Sequence, residues 1–155
     1  QQKKEKRMKI KTFRGQIPMG LEIKIHLSTN DGLTGYRINK FQLISNAPGA
    51  NDNEFVGKIK TKADPNIDAT VDFNDSDLLA VVYLKEGAGV NQGVNDVIIF
   101  DNETFNQDAF VNITDASGGT TPCNFYLELE QFKIDLNTST FHTLKNIRSR
   151  TQVGI

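Results

Sequence analysis

Tryptophan is missing from this sequence, methionine is scarce, and cysteine occurs once, at Cys123. A lone cysteine makes no internal disulfide. With no second cysteine or nearby histidine pair to build a zinc site, Cys123 reads as a small buried apolar residue at the start of a strand. The only histidines are His26 and His142, and nothing at fixed spacing ties either to a nucleophile. A Cys123–His142 dyad would need only adjacency in space, but packing accounts for Cys123, and an outward position on a strand accounts for His26. The nucleophile elbow Gly-x-Ser-x-Gly, the phosphate loop ending in Gly-Lys-Ser/Thr and the zinc motif His-Glu-x-x-His are all lacking. The expectation is a protein that is not an enzyme, with no catalytic residue, no bound metal and no cofactor. No apolar run approaches the roughly 18–20 residues of a membrane-spanning helix, and the charged amino-terminal stretch has no hydrophobic region behind it. A soluble, unsignalled chain with no membrane span is expected.

What is abundant points to β-structure. Ten Phe and three Tyr suit a sheet core, and 155 residues fit one domain able to bury roughly 68–70% of its unfolded surface. The clearest element is Cys123 to Leu136, a long strand around which the other elements are layered. Phe125, Leu127 and Leu129 alternate with Tyr126, Glu128 and Glu130, the period of two that puts apolar side chains on one face. Phe132, Ile134 and Leu136 then fall on the other parity, which predicts a bulge near Glu130 and Gln131 and a strand that serves both sheets of a sandwich. Met8 to Phe13 reads as an edge strand, Leu21 to Leu27 as a half-buried one, and Gly35 to Ser45 as a third with a bulge near Asn39 and Lys40. Phe55 to Lys62, Ile67 to Phe73 and the continuous apolar run Leu78 to Leu84 follow, the last expected to be covered on both faces. Val97 to Phe100 reads as another buried strand and Ala109 to Ile113 as an alternating one. With turns every 8–12 residues, about nine strands predict an all-β fold, an antiparallel β-sandwich or single jelly roll spanning residues 8–148. A short helix capped by Asn137 or Thr138 and a tail at 149–155 complete the reading.

Charge is segregated along the chain. Residues 1 to 14 hold seven cations against Glu5 alone, a net +6, which leaves −7 for residues 15 to 155. Residues 1–7 have no core face and read as a flexible basic arm, dispensable if Met8 is a downstream start. Lys3, Lys4, Lys6, Arg7, Lys9 and Lys11 are the candidate contacts of that arm with nucleic acid or an acidic neighbouring subunit, because a mobile polycation gains free energy from counterion release without a folded site. The alternative is a solubilising tail. Lys145, Arg148 and Arg150 form a smaller basic group at the other end. Asp72, Asn74, Asp75 and Asp77, with Asp64 and Asp68, have the oxygen chemistry for Ca²⁺ but not the EF-hand spacing, so they read as solvated turns. Asp96 and Asp101 read likewise as turn residues. The glycosylation triplets at Asn102, Asn112 and Asn137 are expected by chance in so Asn- and Thr-rich a chain.

The segments Val71-Asp72-Phe73, Leu78 to Leu84, Val97 to Asp101, Tyr126 to Glu130 and Thr143 to Arg148 resemble small proteins encoded by marine bacteriophages. The resemblance covers about half the chain. It implies a virion component of the single-jelly-roll type, and it carries over no site residue. The functional expectation is a structural capsid, vertex or minor shell subunit. Its partners would be its own copies, other virion proteins and, through the arm, the genome, with no small-molecule substrate. The alternative is a carbohydrate- or ligand-binding β-sandwich adhesion module, whose mark would be a concave aromatic surface or Ca²⁺ bound beside Asp72 to Asp77.

Overall fold

The structure, a computed structural model, describes residues 9–29, 31–87, 93–100 and 104–134. Eight antiparallel strands lie among them: β1 (Lys9–Ile17), β2 (Glu22–Ile25), β3 (Thr34–Ser45), β4 (Asn53–Lys60), β5 (Leu78–Glu86), β6 (Val94–Ile99), β7 (Ala109–Asp115) and β8 (Cys123–Lys133). They form a three-stranded sheet, β1-β8-β3, and a five-stranded sheet, β2-β7-β4-β5-β6. No helix occurs among the described residues. The expected arm, helix and tail lie outside them.

The order is that of a rolled-up hairpin, in which strands equidistant from the middle of the chain pair with one another. β1 ladders with β8, β2 with β7, and β4 with β5. The remaining pair, β3 and β6, touches without a ladder, and β6 instead extends the hairpin of β5. The sandwich is therefore a jelly roll whose sixth strand belongs to the larger sheet.

Period-two alternation builds the core between the layers. From the small sheet come Ile17, Tyr36, Ile38, Phe41, Leu43, Phe125, Leu127 and Leu129; from the large one come Phe55, Ile59, Ala80, Val82, Val111 and Ile113. Gly57 faces the same interior, and a Cβ there would meet Val82 Cγ1 at 2.9 Å, Leu43 Cδ1 at 3.0 Å and Phe41 Cζ at 3.2 Å. The missing side chain is what lets the sheets approach at this point. The turn Ala47-Pro48-Gly49-Ala50 follows type II chemistry, proline at the second position and Gly49 at φ +80° at the third, closed by Ala50 N–H to the Ala47 carbonyl at 3.2 Å.

Several expectations change. The bulge of β3 is present: Ile38 pairs Leu129 and Lys40 pairs Glu128, so Asn39 is the extra residue and the inward set moves from Tyr36 and Ile38 to Phe41 and Leu43. The bulge expected in β8 is absent, since Glu130 and Gln131 continue the ladders to both neighbours without a shift. Phe132 keeps its parity and turns to the outer face, where its ring lies over Gly35, 2.7 Å from where a Cβ would sit. β8 is accordingly the middle of one sheet and does not serve both. Leu21, expected inward, is exposed.

The strand expected over Ile67 to Phe73 does not form. Asp64, Asp68, Asp72 and Asp75 each accept the backbone N–H two residues on, from Asn66, Thr70, Asn74 and Asp77 at 2.9–3.1 Å. These side-chain turns take the amide groups a ladder would use, which explains eight strands in place of nine. Of the run Leu78 to Leu84, expected to be covered on both faces, Leu78 to Val82 are buried and Tyr83 and Leu84 are half-buried. Val97 to Ile99 is not buried, because β6 is the outer strand of the wider sheet.

Candidate interaction surfaces

Three surfaces carry the polar and apolar groups that the core does not use. The first is the outer face of the large sheet. Alternation along β4 turns Lys58 and Lys60 away from the core, yet both are buried, because residues 61–77 fold across them. Lys58 Nζ donates to the Thr70 carbonyl at 2.9 Å and lies 3.6 Å from Asp68 and 3.8 Å from Asp64. Lys60 Nζ reaches Asp75 at 2.9 Å and Asp64 at 3.4 Å, and Lys62 reaches Asp77 at 2.7 Å. Burial opposes charge on both Lys60 and Asp75, but their pairing wins, holding the ammonium above and the carboxyl below their ordinary ranges. Asn112, 0% exposed, donates to Glu22 at 3.2 Å and to Asp64 at 3.4 Å, and so anchors the loop to β2 and β7. Of the carboxylates considered as Ca²⁺ ligands, Asp64, Asp68, Asp75 and Asp77 thus pair with lysine ammonium groups, and the side chains of Asp64 and Asp77 are buried, not solvated as expected; Asp64, Asp68, Asp72 and Asp75 line with Lys58 and Lys60 a pit of about 160 Å³. The glycosylation triplet at Asn112 lies in this buried layer.

The second surface is the outer face of the small sheet. Two rows of side chains lie in register across its strands, Arg14–Tyr126–Gln42 and Gln16–Asn124–Ile44. They line a groove of about 520 Å³. Gln16 Nε2 donates to Asn124 Oδ1 at 3.2 Å, and Asn124 Nδ2 donates to the Ser45 carbonyl at 3.4 Å. Arg14, Gln16, Gln42 and Ile44 are exposed, Tyr126 half-buried.

The third surface is β6. Val94, Val97 and Ile98 are 40%, 40% and 44% exposed, and Phe73 stands beside the strand with its ring edge-on to Phe100 at 5.4 Å between centroids.

Of the six candidate arm contacts, Lys9 and Lys11 lie at the start of β1, exposed and half-exposed, in register with Gln131 and Leu129. Lys3, Lys4, Lys6 and Arg7 lie outside the described residues, as do Asp101, His142, Lys145, Arg148 and Arg150. His26 is exposed just after β2, and Asp96 is exposed on β6. Cys123 is fully buried, and burial, with the charges of Glu86 and Asp115, pushes its thiol up to about 12. Among the described residues no three His, Cys, Asp or Glu side chains converge as a metal-ligand set. No helix among them is long and apolar enough to cross a membrane.

Residue order alone singles out neither the groove nor the lysine–aspartate layer. The signal for the layer was present in Lys58, Lys60 and Lys62 at alternate strand positions followed by five Asp in the next loop. The signal for the groove was the polar parity of three strands whose adjacency only the fold supplies.

No family model matches this chain, and no curated protein matches it.

Proposed function

We propose that this chain is a non-enzymatic structural subunit of a viral particle, a capsid, vertex or minor shell protein that is built in through its sheet edges, loops and termini. The observation that carries the reading is β6, a strand with a buried-type apolar run, Val97-Ile98-Ile99, which among the described residues stands at the unpaired edge of the wider sheet. Edge strands of this composition pair with other chains. The resemblance to phage proteins and the charge segregation between the first 14 residues and the rest point the same way. In this reading Lys3, Lys4, Lys6, Arg7, Lys9 and Lys11 reach toward a neighbouring subunit or the genome. The test is sedimentation velocity over a concentration series in low and high salt. Growth of the species with concentration supports the proposal; a single small species throughout overturns it. For the arm, removing residues 1 to 7 deletes four cations, which should flatten the salt dependence of duplex DNA affinity by up to about 3 in log–log slope. An unchanged slope assigns the arm to protein contacts.

The groove favours a second reading, a saccharide-binding adhesion module. Planar amides at Gln16, Gln42 and Asn124, the Arg14 guanidinium and the Tyr126 phenol offer the donors, acceptors and ring face that a sugar uses. Titration with neutral and acidic oligosaccharides tests it. Binding lost in Tyr126→Ala and Arg14→Ala supports this reading, and no binding of any oligosaccharide removes it.

A further inference from the structure

The two sheets end in four edge strands, and they are not alike. β1 carries Lys9, Lys11 and Arg14; β2 has four residues, one of them Lys24. β3 is interrupted by the Asn39 bulge between Arg37 and Lys40, and its edge is covered at Tyr36, which exchanges backbone hydrogen bonds with Phe105 at 2.8 and 3.0 Å. Lysines, shortness, bulges and covering segments are the devices by which proteins close an edge to further pairing. Among the described residues β6 has none of them: six residues without lysine, proline or register shift, Asp96 as the single charge, and no described segment laddered to its outer side.

The direction of its free backbone groups follows from the ladder. Phe100 N–H donates to the Leu79 carbonyl on β5, and β6 continues from there without a shift, so Ile98, Asp96 and Val94 also turn their amides toward β5. Asn95, Val97 and Ile99 therefore present N–H and C=O away from β5, on the side where no described strand pairs. We infer that β6 takes the β6 of a second copy, antiparallel and centred on Val97, joining two five-stranded sheets into one continuous sheet; this rests on the assembly reading above. Self-pairing in this register sets Val97 against Val97 and Asn95 against Ile99 as hydrogen-bonded pairs, about six new backbone bonds. It sets Asp96 against Ile98, so the one charge of the strand never meets its own copy. The same contact brings Ile98 toward the partner, covering apolar surface that the single chain leaves exposed.

The test uses the full chain. Val97→Lys places two ammonium groups against each other at the two-fold and should weaken self-association at least about tenfold, while Val97→Thr, which keeps the β-branched shape, should retain it. A nitroxide on Val97→Cys, selective because Cys123 is buried, should show spin–spin broadening that the same label on Lys11→Cys lacks. Equal association of wild type and Val97→Lys, with no broadening at 97, overturns this pairing and leaves the assembly reading standing. A wild type that stays monomeric up to millimolar concentration overturns both.

Discussion

Replacing Gly57 with alanine tests how the two layers fit. The added methyl would sit 2.9 Å from Val82 Cγ1, 3.0 Å from Leu43 Cδ1 and 3.2 Å from Phe41 Cζ, all in side chains of the closed core. Val82 is β-branched, with little χ1 freedom, and both it and Phe41 are fully enclosed, so relief comes from moving the sheets apart. Overpacking of this kind costs about 1–3 kcal/mol. Against it stands a gain of about 0.4–1 kcal/mol from restricting the unfolded chain. The net expectation is a loss of about 1–2 kcal/mol, which for a chain of this size lowers Tm by roughly 3–8 °C. Urea denaturation read by circular dichroism measures it. Combining the change with Phe41→Leu, which removes the Cζ contact, should recover at least about 0.5 kcal/mol relative to additivity. A neutral or stabilised Gly57→Ala protein, or a strictly additive pair, would refute the packing described.

Lys58→Met removes one of the two buried cations under the 61–77 loop, leaving Asp64 with Lys60 and Asn112 alone and the Thr70 carbonyl without its donor; a loss of about 1–3 kcal/mol is expected, together with faster proteolysis within the loop, and unchanged stability would contradict the buried layer. Asp108 accepts the N–H groups of Leu27 at 2.7 Å and Ser28 at 2.8 Å and pairs with Lys24 at 3.3 Å. Burial raises its carboxyl, but those bonds outweigh it and bring it down to about 2. A carboxyl lowered on folding stabilises fully above its unfolded value near pH 4, and that contribution fades as pH falls toward 2. Asp108→Ala should cost about 1–3 kcal/mol at neutral pH and flatten the acid limb of the stability profile over that window. Cys123, buried with its thiol near 12, should resist alkylation at pH 8 until the chain unfolds; rapid labelling of the folded protein would contradict its place in the core.

Much of the fold could be read directly from alternation. The inward faces of β3 and β8 follow from residue parity, and the Asn39 bulge shows as the step between Ile38 and Phe41. The same rule misleads at Phe132, an apolar residue on the outward parity: no bulge turns it in, because Gly35 on the neighbouring strand leaves room for its ring on the outer face, a fact held 97 positions away in the chain. It failed again over Ile67 to Phe73, where alternating apolar residues sit between aspartates that capture the backbone amides first. The exposure of β6 could not be read at all, since a run such as Val97 to Phe100 gives no sign of which strand ends a sheet. Likewise, Arg14, Gln42 and Tyr126 become one row only after β8 is placed between β1 and β3.

A chain made to join others changes mass with its concentration, which light scattering on the native species across a dilution series reads directly: a mass that climbs well above the 17.3 kDa of a single chain is expected, and a mass fixed at that value from micromolar to millimolar, in low and high salt alike, would contradict assembly.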